Sequence, residues 1–293
     1  MRIGFIGFGG AGYGLAKGLR QAGVSELFFF DPRGKTPPHD TVILKHGEEV
    51  GARQTGSIPE LIRSSTIIIS CVTGTAALAV AEEAVASLRP EHLFVDVNTA
   101  SPETMLAVGN VVNGAGVPFV DIAMMGAVPA FLHRVPCLAS GDGAAKFKTV
   151  MQPFGMEITC VGDIAGQASA IKMFRSIFMK GFLALLLETL TAAHRYHVDD
   201  IVLDSLVKTM EKSGFLETVR LQLAKGVISA ERMAHEMEAV ISTLAEMGMP
   251  ADMAAATRDK LTWCSRMRLD EHFGGEMPGS IGEILAAIEL KRQ

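Results

Sequence analysis

Near the start of the chain, Gly7-Phe8-Gly9-Gly10-Ala11-Gly12 carries the spacing G-x-G-x-x-G. Glycine at the first position allows a tight turn. At the second it lets the backbone come close to a ligand, and at the third it lets a helix lie against a strand. A turn of this kind at a helix start offers unpaired N–H groups and a partial positive charge, which together hold a pyrophosphate. The motif ends one apolar run and opens an amphipathic one. Asp31 closes the next apolar run, at the distance expected of a carboxylate that binds the hydroxyls of an adenine ribose. The pattern points to a dinucleotide site. Asp31 favours NAD, because a carboxylate repels a 2′-phosphate; Arg33 and Lys35 are cations that such a phosphate uses, so NADP stays open.

A second candidate is Lys172, between the apolar Ile171 and Met173, with Arg175 and Ser176 one turn further along the same helical face. A lysine whose pKa is lowered by desolvation and neighbouring cations can shuttle a proton near neutrality, and Arg175 is the cation expected to lower it. Helix spacing alone reads Lys172 as an ordinary surface lysine.

These residues need elements to position them. Short apolar runs at Arg2–Gly7, Glu26–Asp31, Thr66–Val72, Leu93–Val97, Phe119–Ile122, Pro136–Ser140 and Ile158–Val161 read as strands. Several are apolar throughout, as in strands covered on both faces of a parallel sheet. Helical stretches alternate with them near 11–23, 75–88, 102–115 and 143–153. The pattern changes after Gly162. From about 166 to 197 a single helix is expected, roughly 45 Å long at 1.5 Å per residue, with further helices near 199–211, 230–247 and 250–268. The reading is an α/β N-terminal Rossmann domain with a mostly parallel sheet over 1–162, and an all-α C-terminal domain over 163–293 for substrate binding and dimerisation.

Bulk properties narrow the function classes. The 293 residues suffice for two domains, and 48% apolar with 20% charged residues is a globular composition. A net charge of −5 gives no support for nucleic acid or an anionic membrane as partner. The longest apolar run, Gly181 to Leu187, is too short to span a bilayer, and Met1-Arg2 leads straight into a strand rather than a signal peptide. The cysteines Cys71, Cys137, Cys160 and Cys264 form no metal pattern. Those in strand-like runs read as buried free thiols, which fits a cytoplasmic protein.

Several ordered segments resemble the β-hydroxyacid dehydrogenase superfamily, which includes 3-hydroxyisobutyrate dehydrogenase and 6-phosphogluconate dehydrogenase. Beyond the opening turn they are Asp96-Val97-Asn98-Thr99-Ala100-Ser101-Pro102, Asp121-Ile122-Ala123-Met124-Met125-Gly126, and Gly162 through Lys172. The resemblance implies an NAD(P)-dependent oxidoreductase acting on an alcohol or carbonyl, with Lys172 as general acid/base. It assigns Asn98, Met125, Gly126, Arg175 and Ser176 to a small-molecule substrate. To the cofactor it assigns Gly7, Phe8, Gly9, Gly10, Ala11, Gly12, Asp31, Arg33, Val72, Thr73, Thr99 and His235. His235-Glu236 stands where the family has a Lys-Asp pair, Met125 where it has a substrate-gripping serine, and Arg175 and Ser176 where it has asparagines. The chain is thus most similar to a branch known only as 6-phosphogluconate-dehydrogenase-like.

Two other readings compete: an imine reductase on the same fold, whose members often carry an acidic or aromatic residue in place of Lys172, and a cofactor-binding scaffold without turnover. Arg134 is a candidate for a substrate carboxylate and Glu188 for a second acid; Lys180 reads as solvated or ion-paired. The long helix is apolar on more than one side at Phe182, Leu183, Leu185, Leu186 and Leu187, so a homodimer is expected. Met125 removes a hydrogen-bond donor and Arg175 adds a planar cation, which together imply a substrate with an apolar part and an anionic end.

Overall fold

The computed structural model describes residues 1–35 and 37–292, without the Lys35 side chain. The first compact unit spans Met1–Ile177. In chain order it holds β1 (Arg2–Ile6), α1 (Gly10–Gln21), β2 (Glu26–Phe30), α2 (Asp40–Val50), β3 (Arg53–Gln54), α3 (Ile58–Ser64), β4 (Ile67–Ser70) and α4 (Ala77–Val85). There follow β5 (Leu93–Asp96), α5 (Pro102–Gly114), β6 (Phe119–Met124), α6 (Val128–Phe131), β7 (Cys137–Ser140), α7 (Ala144–Met151), β8 (Ile158–Gly162) and the start of α8 (Gln167–Arg195).

The strands form one sheet in the order β3-β2-β1-β4-β5-β6-β7-β8. All neighbours pair in parallel except β6 with β7. Interior strands are apolar because both faces are covered. One face packs Leu15, Leu19, Ile43, Val50 and Phe147 from α1, α2 and α7. The other packs Leu61, Ala81, Met105 and Val108 from α3, α4 and α5. Chain order reverses between β1 and β4, and ligands of open α/β sheets bind outside the strand ends at such a reversal.

The seven expected strands are present. The two-residue β3 escapes sequence detection because it is short and exposed, and α2 and α3 lie where no helix was expected. Cys160 differs from expectation: it is exposed rather than buried, and it lies on β8, the sheet's edge strand, which has no neighbouring strand on one side.

The second unit, Phe178–Gln293, is helical. It contains the rest of α8, then α9 (Asp199–Glu211), α10 (Phe215–Ile228), α11 (Ala230–Glu246), α12 (Asp252–Arg266), α13 (Leu269–His272) and α14 (Ile281–Arg292). No strand follows Gly162 among the described residues. Its core is small: Ala224, Val227, Leu269, Ile284 and Ala287. Glu188, a candidate second acid, has another role here. Its two carboxylate oxygens accept the Met253 and Ala254 amides at 2.9 and 2.8 Å and so cap α12. Among the described residues no helix is long and apolar enough to cross a membrane.

Candidate active site

The glycine turn sits at the reversal point. Gly7 has φ +89°, and a Cβ there would stand 2.4 Å from the Cys71 carbonyl at the end of β4. A Cβ on Gly12 would meet the Gly7 carbonyl at the same 2.4 Å, so α1 closes onto the turn only with glycine there. Gly9 caps α1 without a side-chain hydrogen bond, and no acidic residue enters the first turn. A Cβ on Gly10 would meet nothing within 4 Å, so the face over the turn is open. Free N–H groups, a helix dipole and open space fit a pyrophosphate. Phe8 contributes only backbone to this turn, because its ring is buried and stacks on Phe29 at 4.2 Å.

Asp31 departs from the expected arrangement. It is buried, and its two oxygens are already engaged: Phe8 N donates at 2.8 Å, Arg33 N at 3.0 Å, and the Arg33 guanidinium at 3.1 and 2.9 Å. Burial works to raise the Asp31 carboxyl. The Arg33 guanidinium and the two amides outweigh it and hold the group below the usual carboxylate range. Arg33, exposed itself, reaches to 3.1 Å from where a Gly9 Cβ would stand, so carboxylate and cation lie over the turn as a pair. The repulsion of a 2′-phosphate expected from a free Asp31 is thereby offset.

Val72 and Thr73 follow β4, and the Val72 side chain would lie 3.2 Å from a Cβ on Gly7. A Cβ on Gly74 would stand 2.2 Å from the Thr99 carbonyl, so the loops after β4 and β5 are in contact. In the second loop Asn98 is buried. Its backbone N–H and Nδ2 donate to the two Asp96 oxygens, both at 2.8 Å, and Nδ2 also donates to Ser70 Oγ at 2.9 Å. Asn98 Oδ1 is buried with no hydrogen-bond partner among the described residues. Buried acceptors are almost always satisfied, so this atom suits a ligand donor. Burial pushes the Asp96 carboxyl up to about 7, against the pull of its donors.

Thr99 is exposed, and its Oγ1 accepts a hydrogen bond from Lys172 Nζ at 3.2 Å across 73 residues of sequence. The half-buried Lys172 has its pKa lowered by desolvation, while Cys137 and Asp121 pull it the other way. Arg175 plays no part in lowering it, contrary to the sequence expectation. It is exposed, and among the described residues it forms no ion pair or hydrogen bond. Ser176 Oγ turns back to the Lys172 carbonyl at 2.9 Å. Met125 is half-buried after β6 with its N–H on Pro136 O at 2.7 Å, and Gly126 beside it is exposed.

Three candidates make no hydrogen bond or ion pair among the described residues. Arg134 is exposed beside Gly155, and its neighbour His133 packs against Gly18 of α1. His235 is exposed on α11 in the second unit, and Lys180 is exposed on α8. The sequence reading missed Ser70, Ser140 and Ser169 and the structural part of Asp96 and Asp121. The available signal was an aspartate inside or ending an interior apolar strand, which requires donors from elsewhere.

Residues 2–162 match the NAD binding domain of 6-phosphogluconate dehydrogenase. Residues 193–264 match a domain of unknown function, DUF1932. A solved conserved protein, described as structurally similar to 3-hydroxyacid dehydrogenases, is 33% identical over 92% of this chain and 98% of its own, with a TM-score of 0.62. The mitochondrial 3-hydroxyisobutyrate dehydrogenase of Drosophila melanogaster is 24% identical over 71% of this chain and 63% of its own length. An imine reductase from Aspergillus terreus shares the fold at a TM-score of 0.73 and 18% identity, over 97% of this chain and 98% of its own. Glycine turn, strand order, lysine helix and matched length agree: the chain belongs to the β-hydroxyacid dehydrogenase superfamily, with the NAD binding domain of 6-phosphogluconate dehydrogenase as its N-terminal part.

Proposed function

We propose that this nicotinamide-dependent oxidoreductase interconverts a hydroxyacid-like alcohol and its carbonyl, with Lys172 as general acid/base. The observation that carries the reading is the Lys172–Thr99 hydrogen bond at 3.2 Å, made by a desolvated lysine to the loop after β5, which touches the loop after β4 at Gly74. A bound nicotinamide supplies hydride exchange with the substrate carbon. The chain must handle the proton. In oxidation neutral Lys172 Nζ takes it from the hydroxyl; in reduction the ammonium returns it. Desolvation favours the neutral amine, and Thr99 Oγ1 fixes where Nζ points.

Residues 1–162 act as the cofactor domain in this reading and 163–293 as the substrate and dimerisation domain. The first-turn amides of α1 hold the pyrophosphate, with Val72, Thr73 and Thr99 along the rest of the cofactor. Asn98 Oδ1 accepts from substrate or carboxamide. Half-buried Met124 and Met125 present soft apolar surface, and unpaired Arg175 can grip an anionic group bidentately. The substrate then has an apolar portion and one anionic end. NAD is the preferred cofactor, with NADP tolerated because Arg33 already neutralises Asp31.

The test is a turnover screen that pairs NAD+ and NADP+ with hydroxyacids, sugar acids and aryl alcohols, and NADH and NADPH with the matching carbonyls and with cyclic imines. Turnover of a bulky hydroxyacid or its ketone is expected. Turnover of imines alone would replace alcohol chemistry with imine reduction, and cofactor binding without any turnover would favour a scaffold.

A further inference from the structure

Asp121 lies inside the interior strand β6 and is fully buried. An ionised carboxylate there is costly unless donors surround it. Four donors do so: Ser169 Oγ at 2.7 Å, and Ser169 N, Gly166 N and Ser140 Oγ each at 3.1 Å. The two amides belong to the entry and first turn of α8, where N–H groups lack intrahelical partners and the helix dipole favours an anion. Ser140 stands directly opposite Asp121 in the β6–β7 ladder, and its Oγ accepts the Ala168 amide at 3.0 Å. Gly166 takes φ +94°, and a Cβ on it would stand 2.5 Å from the Pro102 carbonyl. The helix start is thus pinned from below by β6 and β7 and from the side by the start of α5.

The neighbouring strand repeats the device. Asp96 is the register partner of Asp121 in the β5–β6 pair, and it holds the Asn98 amide and side chain. One carboxylate fixes the loop that carries Thr99; the other fixes the helix that carries Lys172, one turn beyond Ser169. We infer that Asp121 is the positioning residue for Lys172: by docking the first turn of α8 onto the sheet it sets Nζ against Thr99. The inference rests on the reading of Lys172 as the proton-transfer group, and it is tested without that reading.

The experiment is competitive acetylation of the intact protein with acetic anhydride between about pH 6 and 11, read by mass spectrometry at Lys172 with exposed Lys180 as internal reference. In the wild type the Lys172 midpoint is expected below the ordinary lysine value of about 10.4. In Asp121→Asn the docked turn loosens, the amine regains solvent, and its midpoint rises toward the ordinary lysine value by about one pH unit, a tenfold change in the proton-binding constant. Ser169→Ala, which removes the shortest of the four bonds, is expected to move it the same way by less. NADH affinity within about threefold of wild type certifies the fold, since a threefold change is well under 1 kcal/mol.

A midpoint that stays put in Asp121→Asn overturns the inference. So does one that falls further, which is what losing a negative charge without moving the helix would cause. If Asp121→Asn does not fold, an unchanged midpoint in Ser169→Ala overturns it. Retained turnover in a Lys172 variant would remove the lysine from the chemistry and leave this measurement intact.

Discussion

In the sheet unit six phenylalanines, Phe5, Phe8, Phe29, Phe94, Phe119 and Phe147, are fully buried, while Phe131 and Phe174 are exposed. In the helical unit Phe178, Phe182, Leu183, Leu187, Ile201, Phe215 and Leu216 are exposed, with Leu183 at 57% and Leu216 at 75%. The first unit covers both faces of its sheet with its own helices, and its polar interior serves the site. The second has a core of small or medium side chains and leaves these large apolar side chains uncovered. A self-sufficient nucleotide fold can be recognised and understood from one chain; for the exposed apolar side chains of the helical unit, a second copy is the partner proposed.

The largest expected effect attacks the self-sufficiency of the sheet unit. Phe94→Ala removes a fully buried ring between two covered faces and should cost about 3–5 kcal/mol, measured by urea denaturation. A loss under about 1 kcal/mol would show that the core repacks freely. Next comes the uncovered face. Leu183→Glu should raise the dimer dissociation constant about a hundredfold, at the scale of an interface anchor, while Val42→Glu, also exposed but on the sheet unit, should leave it unchanged. Sedimentation velocity separates the two, and a wild type that is monomeric at micromolar concentration would break the comparison.

The same contrast explains how far the sequence could be read. β1, β4 and β5 are apolar runs with turn residues at their ends, and such a pattern has one structural solution. Gly7, Gly9 and Gly12 were readable from their spacing, and at Gly7 and Gly12 a Cβ would meet backbone at 2.4 Å. α10 and α14 were missed because their faces carry no clear periodic stripe. Among the site residues, Lys172 and Thr99 were found through family resemblance, since 73 residues separate them and no local pattern announces their contact. Arg33 was read as a free cation because its pairing with Asp31 depends on a short 3-10 turn, Pro32–Lys35, that the sequence does not signal. The burial that lowers Lys172 could not be seen either, so Arg175 was given a role that desolvation performs.

A smaller effect is expected at the cofactor's ribose end. Asp31→Ser removes the acid and frees the Arg33 guanidinium, so kcat/KM with NADP should rise about tenfold relative to NAD. An unchanged ratio would show that the pair does not set cofactor choice. A pH-dependent effect is expected at Asp96. Its carboxyl titrates near 7 in the fold, above the ordinary carboxylate range, so the folded state holds the proton more tightly than the unfolded chain. The stability it contributes is full below the unfolded pKa and is lost as pH rises through about 7. Tm measured from about pH 4 to 8 should therefore decline less steeply in Asp96→Asn than in the wild type, and parallel curves would contradict the shift.

The central claim is that Lys172 moves the proton and takes no part in holding the cofactor. Lys172→Met tests it most directly, with turnover on the best substrate from the screen and NAD(P)H affinity by fluorescence titration measured on the same preparation. General acid/base catalysis is worth about 100- to 10,000-fold, so kcat should fall within or beyond that range while cofactor affinity changes by less than about threefold. A variant that keeps near-normal kcat, or one that loses turnover only because the cofactor no longer binds, would contradict it.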